Sequence, residues 1–286
     1  ALPISQLGFV IEEETKQAIQ KQAKFLKDIS AERIQTELTK LLLSDHPETI
    51  LDAFDLGVTK VVLPEFDRMM ETPQNNPHHC YNVGVHTVEA LKNTEPDHIL
   101  RWTMLLHDVG KPEARVEGKI KDSFQGHNTI GEEVSRKILK RLKFDNQTIK
   151  QVTRLVYWHD VRFGSLDEVS KKTVRRWASR ISVPLFEKLL KVQQADISAQ
   201  STFMQEEKQQ ILDRTRLLFE EIKEEKDCLQ VKDLALDGKD LISLGMKPGR
   251  EIGEMLAGLL ELVLEDPAKN KREVLEQAVR KKRGEL

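Results

Sequence analysis

The sequence predicts an all-α protein, a helical bundle with one possible short β-hairpin. Three observations carry this. Apolar residues recur at helical spacing along nearly the whole chain. Leu, Lys and Glu dominate, all of them strong helix formers. Strand-like alternation is confined to one stretch, 114–124. With 286 residues, 39% of them hydrophobic, the chain can bury a sizeable core, and its 32% charged residues solvate the surface.

The chain begins "ALPISQLGFVIEEET", with no initiator methionine, and reads as a piece of something longer. The next stretch, 12–28, sets Ala18, Ile19, Phe25 and Leu26 on one side. At 30–44, Ser30 is placed to cap a helix, with Glu32 in the first turn and Ile34, Leu38, Leu41 and Leu42 on the apolar face. A short helix at 46–57 stops at Gly57. Prolines and asparagines break the pattern over 61–79, which predicts a boundary. Helices resume at 81–93, 96–108, 128–143, 146–160, 171–181 and 184–200. Between them, Val116 and Ile120 alternate around Glu117-Gly118 as a short hairpin. A long amphipathic helix runs from about 200 to Lys226, followed by a loop at Asp237-Gly238, a helix at 248–266 and a charged terminal helix. Three segments follow in series: 1–65, 66–200 and 201–286.

A net charge of −2 gives no overall pull toward nucleic acid or membrane, so such binding needs local patches. Cys80 and Cys228 are the only cysteines and form no CxxC, which excludes a cysteine-based zinc site and suits a reducing, cytoplasmic setting. No apolar run approaches the ~18 residues of a membrane span, so a soluble protein with no membrane partner is expected. The sequence sets no oligomeric state.

Several ionisable residues stand where leucines belong. His86 is in register with Val83 and Ala90; His107 and Asp108 follow Leu100, Thr103 and Met104. His127 shares a face with Ile130 and Val134, His159 continues the stripe Val152, Leu155, Val156, and Asp196 follows Leu189 and Val192. Each alone reads as a hydrogen-bonded core residue. Together, four imidazoles and two carboxylates in one cavity would be ruinous without a cation to neutralise them. Mixed nitrogen and oxygen donors suit one or two divalent transition ions (Mn, Fe, Ni, Co or Zn, with Mg also allowed) rather than calcium.

This arrangement resembles the HD-domain superfamily of metal-dependent phosphohydrolases, whose pattern H…HD…D is matched by His86, His107-Asp108 and Asp196. His127 and His159 match the extra histidines of two-metal members, and the resemblance implies a central HD domain in which Asp108 bridges the ions. Lys111 would then stabilise charge on a phosphate; the other reading is an exposed lysine in a turn. Asp160 is expected to support His159, while His78 and His79 belong to a loop beside the site, at the surface or against substrate. The stretches 6–44 and 233–267, with the run Ser30-Ala31-Glu32-Arg33-Ile34, resemble the RNA-binding neck and C-terminal segment of the bacterial tRNA nucleotidyltransferase and poly(A) polymerase family. The catalytic head of that family carries Gly-Ser followed by Asp-x-Asp; here Gly164-Ser165 is followed by "LDEVS", and no Asp-x-Asp occurs. Nucleotide addition by this chain alone is therefore not expected.

Basic runs supply candidate RNA contacts at Arg136, Lys140 and Lys143, at Lys171, Lys172, Arg175 and Arg176, and at Lys247 and Arg250, where a helix opens. Solvated helix faces are the competing reading. Two functions stay in play. The first is a metal-dependent phosphohydrolase of phosphomonoesters, phosphodiesters or cyclic phosphates at a nucleotide or RNA 3′ end, with Asp108 and Lys111 catalytic. The alternative is the tRNA-binding portion of a CCA-adding enzyme or poly(A) polymerase, with a structural metal site and no catalysis of its own.

Overall fold

A computed structural model describes residues 11–118 and 121–284. The chain divides into two compact units. The first takes Ala1–Arg162 and Glu187–Gln209, the second Phe163–Phe186 and Gln210–Leu286. The all-α expectation holds. Among the described residues, the stretch read as a hairpin keeps only an isolated antiparallel bridge, Val116 to Ser123, and Ile120 lies outside the described residues. Instead of a ladder, the Asp122 carboxylate gathers the loop. It accepts from Arg115 Nε at 3.0 Å and from the backbone N–H groups of Asn75 and Gly118, each at 3.4 Å.

In the first unit, α1 (Glu13–Gln22) gives way to a 3-10 turn over Ala23–Asp28, and α1 has no buried residue. The apolar side read there is only partly used, since Phe25 is exposed. Helix α2 (Ala31–Leu42) follows with Ser30 as its cap, accepting from Arg33 N–H, and buries Leu38, Leu41 and Leu42. Then come α3 (Ile50–Asp55), α4 (Thr59–Val62) and α5 (Pro64–Met70), the first two separated at Gly57, whose φ of +69° suits a residue without Cβ. The stretch read as a boundary thus contains short helices, with Pro64 at a helix start where its missing N–H costs nothing. Asn82 caps α6 (Val83–Lys92), Asp97 caps α7 (His98–Leu106) and Asp145 caps α10 (Asn146–Trp158). Between the last two lie α8 (Lys111–Ala114) and α9 (His127–Arg141).

The core of this unit joins Leu42, Ile50, Phe66, Leu91, Trp102, Ile138, Val152 and Val192. Two polar anchors fix α7 within it. Trp102 Nε1–H donates to Thr39 Oγ1 at 3.0 Å, and the buried Arg101 donates to the carbonyls of Leu42 (2.8 Å) and Glu95 (3.1 Å). Arg101 so satisfies a carbonyl at the end of α2 that the helix leaves open.

Helices α12 (Val183–Ser198) and α13 (Gln205–Glu224) contribute residues to both units. The second unit also holds α11 (Lys171–Ile181), α14 (Gly238–Ser243), α15 (Arg250–Glu265) and α16 (Arg272–Lys282). The expected loop at Asp237-Gly238 is a helix start, because Asp237 and Asp240 form a capping box. Its core gathers Leu241, Leu259, Val263, Leu275 and Val279, and Phe186 packs edge-on between Phe163 and Phe219. No helix among the described residues is long and apolar enough to cross a membrane.

Candidate metal centre

The six residues singled out in the sequence converge within the first unit. Two glycines permit it. A Cβ on Gly84 would lie 2.8 Å from the Met70 backbone nitrogen, so α6 approaches α5 closely while carrying His86 inward. A Cβ on Gly110 would meet the His127 carbonyl at 2.1 Å and the Gly131 nitrogen at 2.5 Å. The turn after His107-Asp108 therefore lies directly on the first turn of α9, which begins with His127. His107 and His159 end α7 and α10, and Asp196 lies on α12.

Each imidazole has its Nδ1 against a backbone carbonyl. His107 faces Met104 O (2.7 Å), His127 faces Phe124 O (2.9 Å), His159 faces Val156 O (2.6 Å) and His86 faces Ala199 O (3.3 Å). In three cases that carbonyl is three residues back, at a helix end or turn. The network assigns the proton to Nδ1, which leaves the Nε2 lone pairs facing inward. They surround Asp108. Its Oδ2 is 3.2 Å from His107 Nε2 and 3.8 Å from His86 Nε2; its Oδ1 is 3.5 Å from His159 Nε2 and 3.8 Å from His127 Nε2. Asp196 Oδ1 is 2.8 Å from His86 Nε2 and 3.8 Å from His107 Nε2. Two donor groups result, His86–His107–Asp108 and Asp108–His127–His159, each with all its ligand atoms within 4.8 Å of one another.

The donor set fits a cation. His107 Nε2 is buried without a hydrogen-bond partner. His127 and His159 bring their Nε2 atoms to 3.2 Å, and with both Nδ1 protons given to carbonyls neither can donate to the other. Two lone pairs held face to face in a buried site call for positive charge between them. The local electrostatics keep the ligands in their binding forms. Burial would raise the Asp108 carboxyl, but His107 and Lys111 outweigh it and hold the group well below the usual carboxylate range. Burial likewise opposes ionisation of Asp196, and the neighbouring imidazoles of His86 and His107 overcome it, so this carboxyl too is held below the usual range. His127 is pushed down by burial and by His159, so its ring is neutral near pH 7.

Other expected residues fall differently. Lys111 is buried rather than exposed in a turn, with Nζ 2.7 Å from Asp108 Oδ2 and 2.8 Å from Gln74 Oε1. Its charge is committed within the protein. Asp160 does not support His159, whose Nδ1 faces Val156; Asp160 is exposed and lies 3.5 Å from Arg162. His79 packs on His86 with ring centroids 4.8 Å apart, and burial, aided by Lys111 and His86, pushes its imidazole down to about 3. His78 lies 3.1 Å from Lys208 Nζ. A cavity of about 630 Å³ opens beside the cluster, lined by His79, Lys111, Phe124, Trp158, Arg162 and Lys208 among others.

The basic candidates do not form one surface. Arg136 pairs with Glu132 at 2.6 Å and Arg250 with Glu254 at 2.7 Å, while Lys140 is exposed. Lys171 pairs with Glu221 and Glu225, and Lys172 and Arg176 with Glu265. Arg175 is a correction. It is buried, 3.0 Å from Asp227 and donating to Leu264 O at 3.0 Å, so it holds the second unit together and faces no solvent-borne phosphate. The sequence reading missed Gln193, whose amide donates to the carbonyls of His159 (3.0 Å) and Val161 (2.8 Å), and Gln200, which donates to Asp196 Oδ2 at 2.9 Å. Both stand at helical spacing from Asp196, three residues before and four after, and that spacing was the available signal.

A family model described as tRNA nucleotidyltransferase domain 2 matches residues 127–279, just over half of the chain. The chain belongs to the tRNA nucleotidyltransferase family. A second model, "Probable RNA and SrmB- binding site of polymerase A", matches residues 8–70. The A-adding tRNA nucleotidyltransferase of Deinococcus radiodurans is 32% identical over 90% of this chain and 61% of its own length. The CC-adding tRNA nucleotidyltransferase of Thermus thermophilus is 30% identical over 93% of this chain and 62% of its own. The chain thus spans about three fifths of these relatives. The crystal structure of the Bacillus stearothermophilus CCA-adding enzyme with CTP shares the fold, with a TM-score of 0.58 over 99% of this chain and 61% of the other, at 17% identity.

These matches overturn the phosphohydrolase reading. The Deinococcus and Thermus relatives are named for adding nucleotides, not for hydrolysing phosphoesters. The physical reason for the error is general: a His/Asp cage specifies affinity for a cation, and a cation can clamp helices as well as activate water. Asp108 and Lys111 are accordingly not assigned as hydrolytic catalysts.

Proposed function

We propose that this chain is the tRNA-binding body of a tRNA nucleotidyltransferase, in which a buried His/Asp cage serves as a structural clamp without chemistry of its own. The family-model match over residues 127–279 carries this reading, and the match over 8–70 to a segment described as RNA-binding supports it. His86, His107, Asp108, His127, His159 and Asp196 are the residues that would hold one or two divalent ions, with manganese, iron, nickel, cobalt and zinc all suited to imidazole and carboxylate donors and magnesium also allowed. A bound ion would supply the positive charge that the facing Nε2 atoms lack and would tie five helical stretches together. The RNA is engaged through its phosphates, by exposed cations such as Lys140 and Arg250 and by the neck-like stretch 1–65. The free thiols of Cys80 and Cys228 support a cytoplasmic setting.

Filter binding of labelled tRNA over a series of KCl concentrations tests this. We expect log affinity to fall linearly with log salt, with a slope set by the number of phosphates neutralised. Absence of binding at low salt, or binding indifferent to salt, refutes it.

A further inference from the structure

We infer that Gln200 and Lys208 are positioning residues for Asp196, locking its carboxylate so that one oxygen is held by protein and the other is presented to the histidines. The inference rests on the reading that the cage holds a divalent cation.

Asp196 has two oxygens in different surroundings. Oδ1 lies 2.8 Å from His86 Nε2, on the side of the donor cluster; Oδ2 accepts from Gln200 Nε2 at 2.9 Å. A glutamine amide can present either end to a neighbour, and which end faces the carboxylate decides between attraction and repulsion. Here the choice is made by Lys208, whose Nζ donates to Gln200 Oε1. An ammonium has donors only, so the amide oxygen must face it and the NH2 must face Asp196. The chain Lys208 → Gln200 → Asp196 is therefore directional.

The backbone around it is equally fixed. Gln200 N–H donates to Ile197 O at 3.2 Å, holding the turn at the end of α12. Ser201 N–H donates to His78 O at 3.0 Å, and the Phe203 ring stacks edge-on against His78 at 4.8 Å. Lys208 Nζ reaches the same histidine at Nδ1, 3.1 Å away. The stretch that carries Gln200 is thus pinned to the loop that packs on His86, and the amide has little freedom to leave the carboxylate.

Cobalt(II) titration, read by its visible d–d bands and by competition with a chromophoric chelator, tests the role on the full chain. We expect Gln200→Ala to weaken cobalt affinity by about 10–100-fold, the usual cost of losing an outer hydrogen bond to a metal ligand. Lys208→Met separates positioning from charge. By charge alone, removing a cation near the site tightens cobalt binding; by loss of positioning it weakens it. We expect weakening, with Lys208→Arg restoring most of the affinity. Gln205→Ala, which removes a hydrogen bond to Ile197 O in the same stretch, leaves cobalt binding unchanged. In EDTA, Gln200→Ala melts with the wild type, and only the stabilisation gained on adding cobalt is reduced. Should Gln200→Ala fail to fold, Lys208→Met decides alone. Wild-type affinity in Gln200→Ala, or tighter binding in Lys208→Met, overturns the inference while leaving the cage reading intact. A wild-type chain that takes up no cobalt removes both.

Discussion

Arg175 separates two accounts of a basic helix. On the sequence it belongs to a run of cations read as an RNA contact; in the structure its guanidinium is 8% exposed and answers an Asp227 carboxylate that is also 8% exposed. Arg175→Met keeps most of the aliphatic stem but removes the charge. It leaves the Asp227 carboxyl buried and without its 3.0 Å partner, and it frees the Leu264 carbonyl at the end of α15. Breaking a buried pair from one side costs about 3–5 kcal/mol, far more than the ~1 kcal/mol of an exposed one. At roughly 2–4 °C per kcal/mol for a chain of this size, the melting temperature should fall by roughly 6–20 °C. Arg175→Met with Asp227→Leu should recover most of the loss, because removing both charges leaves nothing buried and unpaired. Melting followed by circular dichroism gives the first number. Filter binding to tRNA, well below the variant's melting point, should give wild-type affinity and an unchanged salt slope. A variant that melts like wild type but binds tRNA tenfold more weakly would refute this assignment.

Two further outcomes follow from close packing and from charge. Gly110→Ala sets a methyl group 2.1 Å from the His127 carbonyl, a backbone clash that no side-chain rotation relieves, so its cost should exceed the ~1–3 kcal/mol usual for overpacking. Gly253→Ala, in the first turn of α15 with nothing within 4 Å, should instead stabilise, by at most about 0.5–1 kcal/mol; equal melting temperatures for the two variants would contradict this. Glu65 is the pH-dependent element. Burial would raise its carboxyl, but the hydrogen bonds from Arg141, both at 2.7 Å, win and hold it below 4.5. Its contribution of about 1 kcal/mol is full above the unfolded value and is lost as pH falls through the lowered folded one. Urea unfolding from pH 7 down to pH 3 should show a shallower acid limb in Glu65→Gln, and identical limbs would sink the point.

Much of the architecture was legible because helices advertise themselves locally. Ser30 caps α2 as its hydroxyl and position suggest, and Leu38, Leu41 and Leu42 are buried where the 3.6-residue period puts them. The cage was legible for the same reason, as polar residues in register with apolar ones. What escaped depends on partners remote in sequence. Arg175 looks like its neighbours Lys172 and Arg176 until Asp227 and Leu264, 52 and 89 residues on, close over it. Phe25 carries the mark of a core residue yet is 55% exposed, because the helix tightens into a 3-10 turn at Ala23 and shifts the register of its face. The phosphohydrolase expectation failed for a different cause. Spacing reports which atoms meet, and the reaction depends on what else does.

The six donors have a consequence for biosynthesis. His86 and Asp196 are separated by 110 positions, and Asp196 comes last. At ribosomal speeds of roughly 5–20 residues per second, that interval lasts about 5–20 s. Throughout it the emerging polypeptide exposes imidazoles that have no second carboxylate to meet, and the loop from α6 to α12 stays open. The cage therefore closes only after most of the first unit has been synthesised.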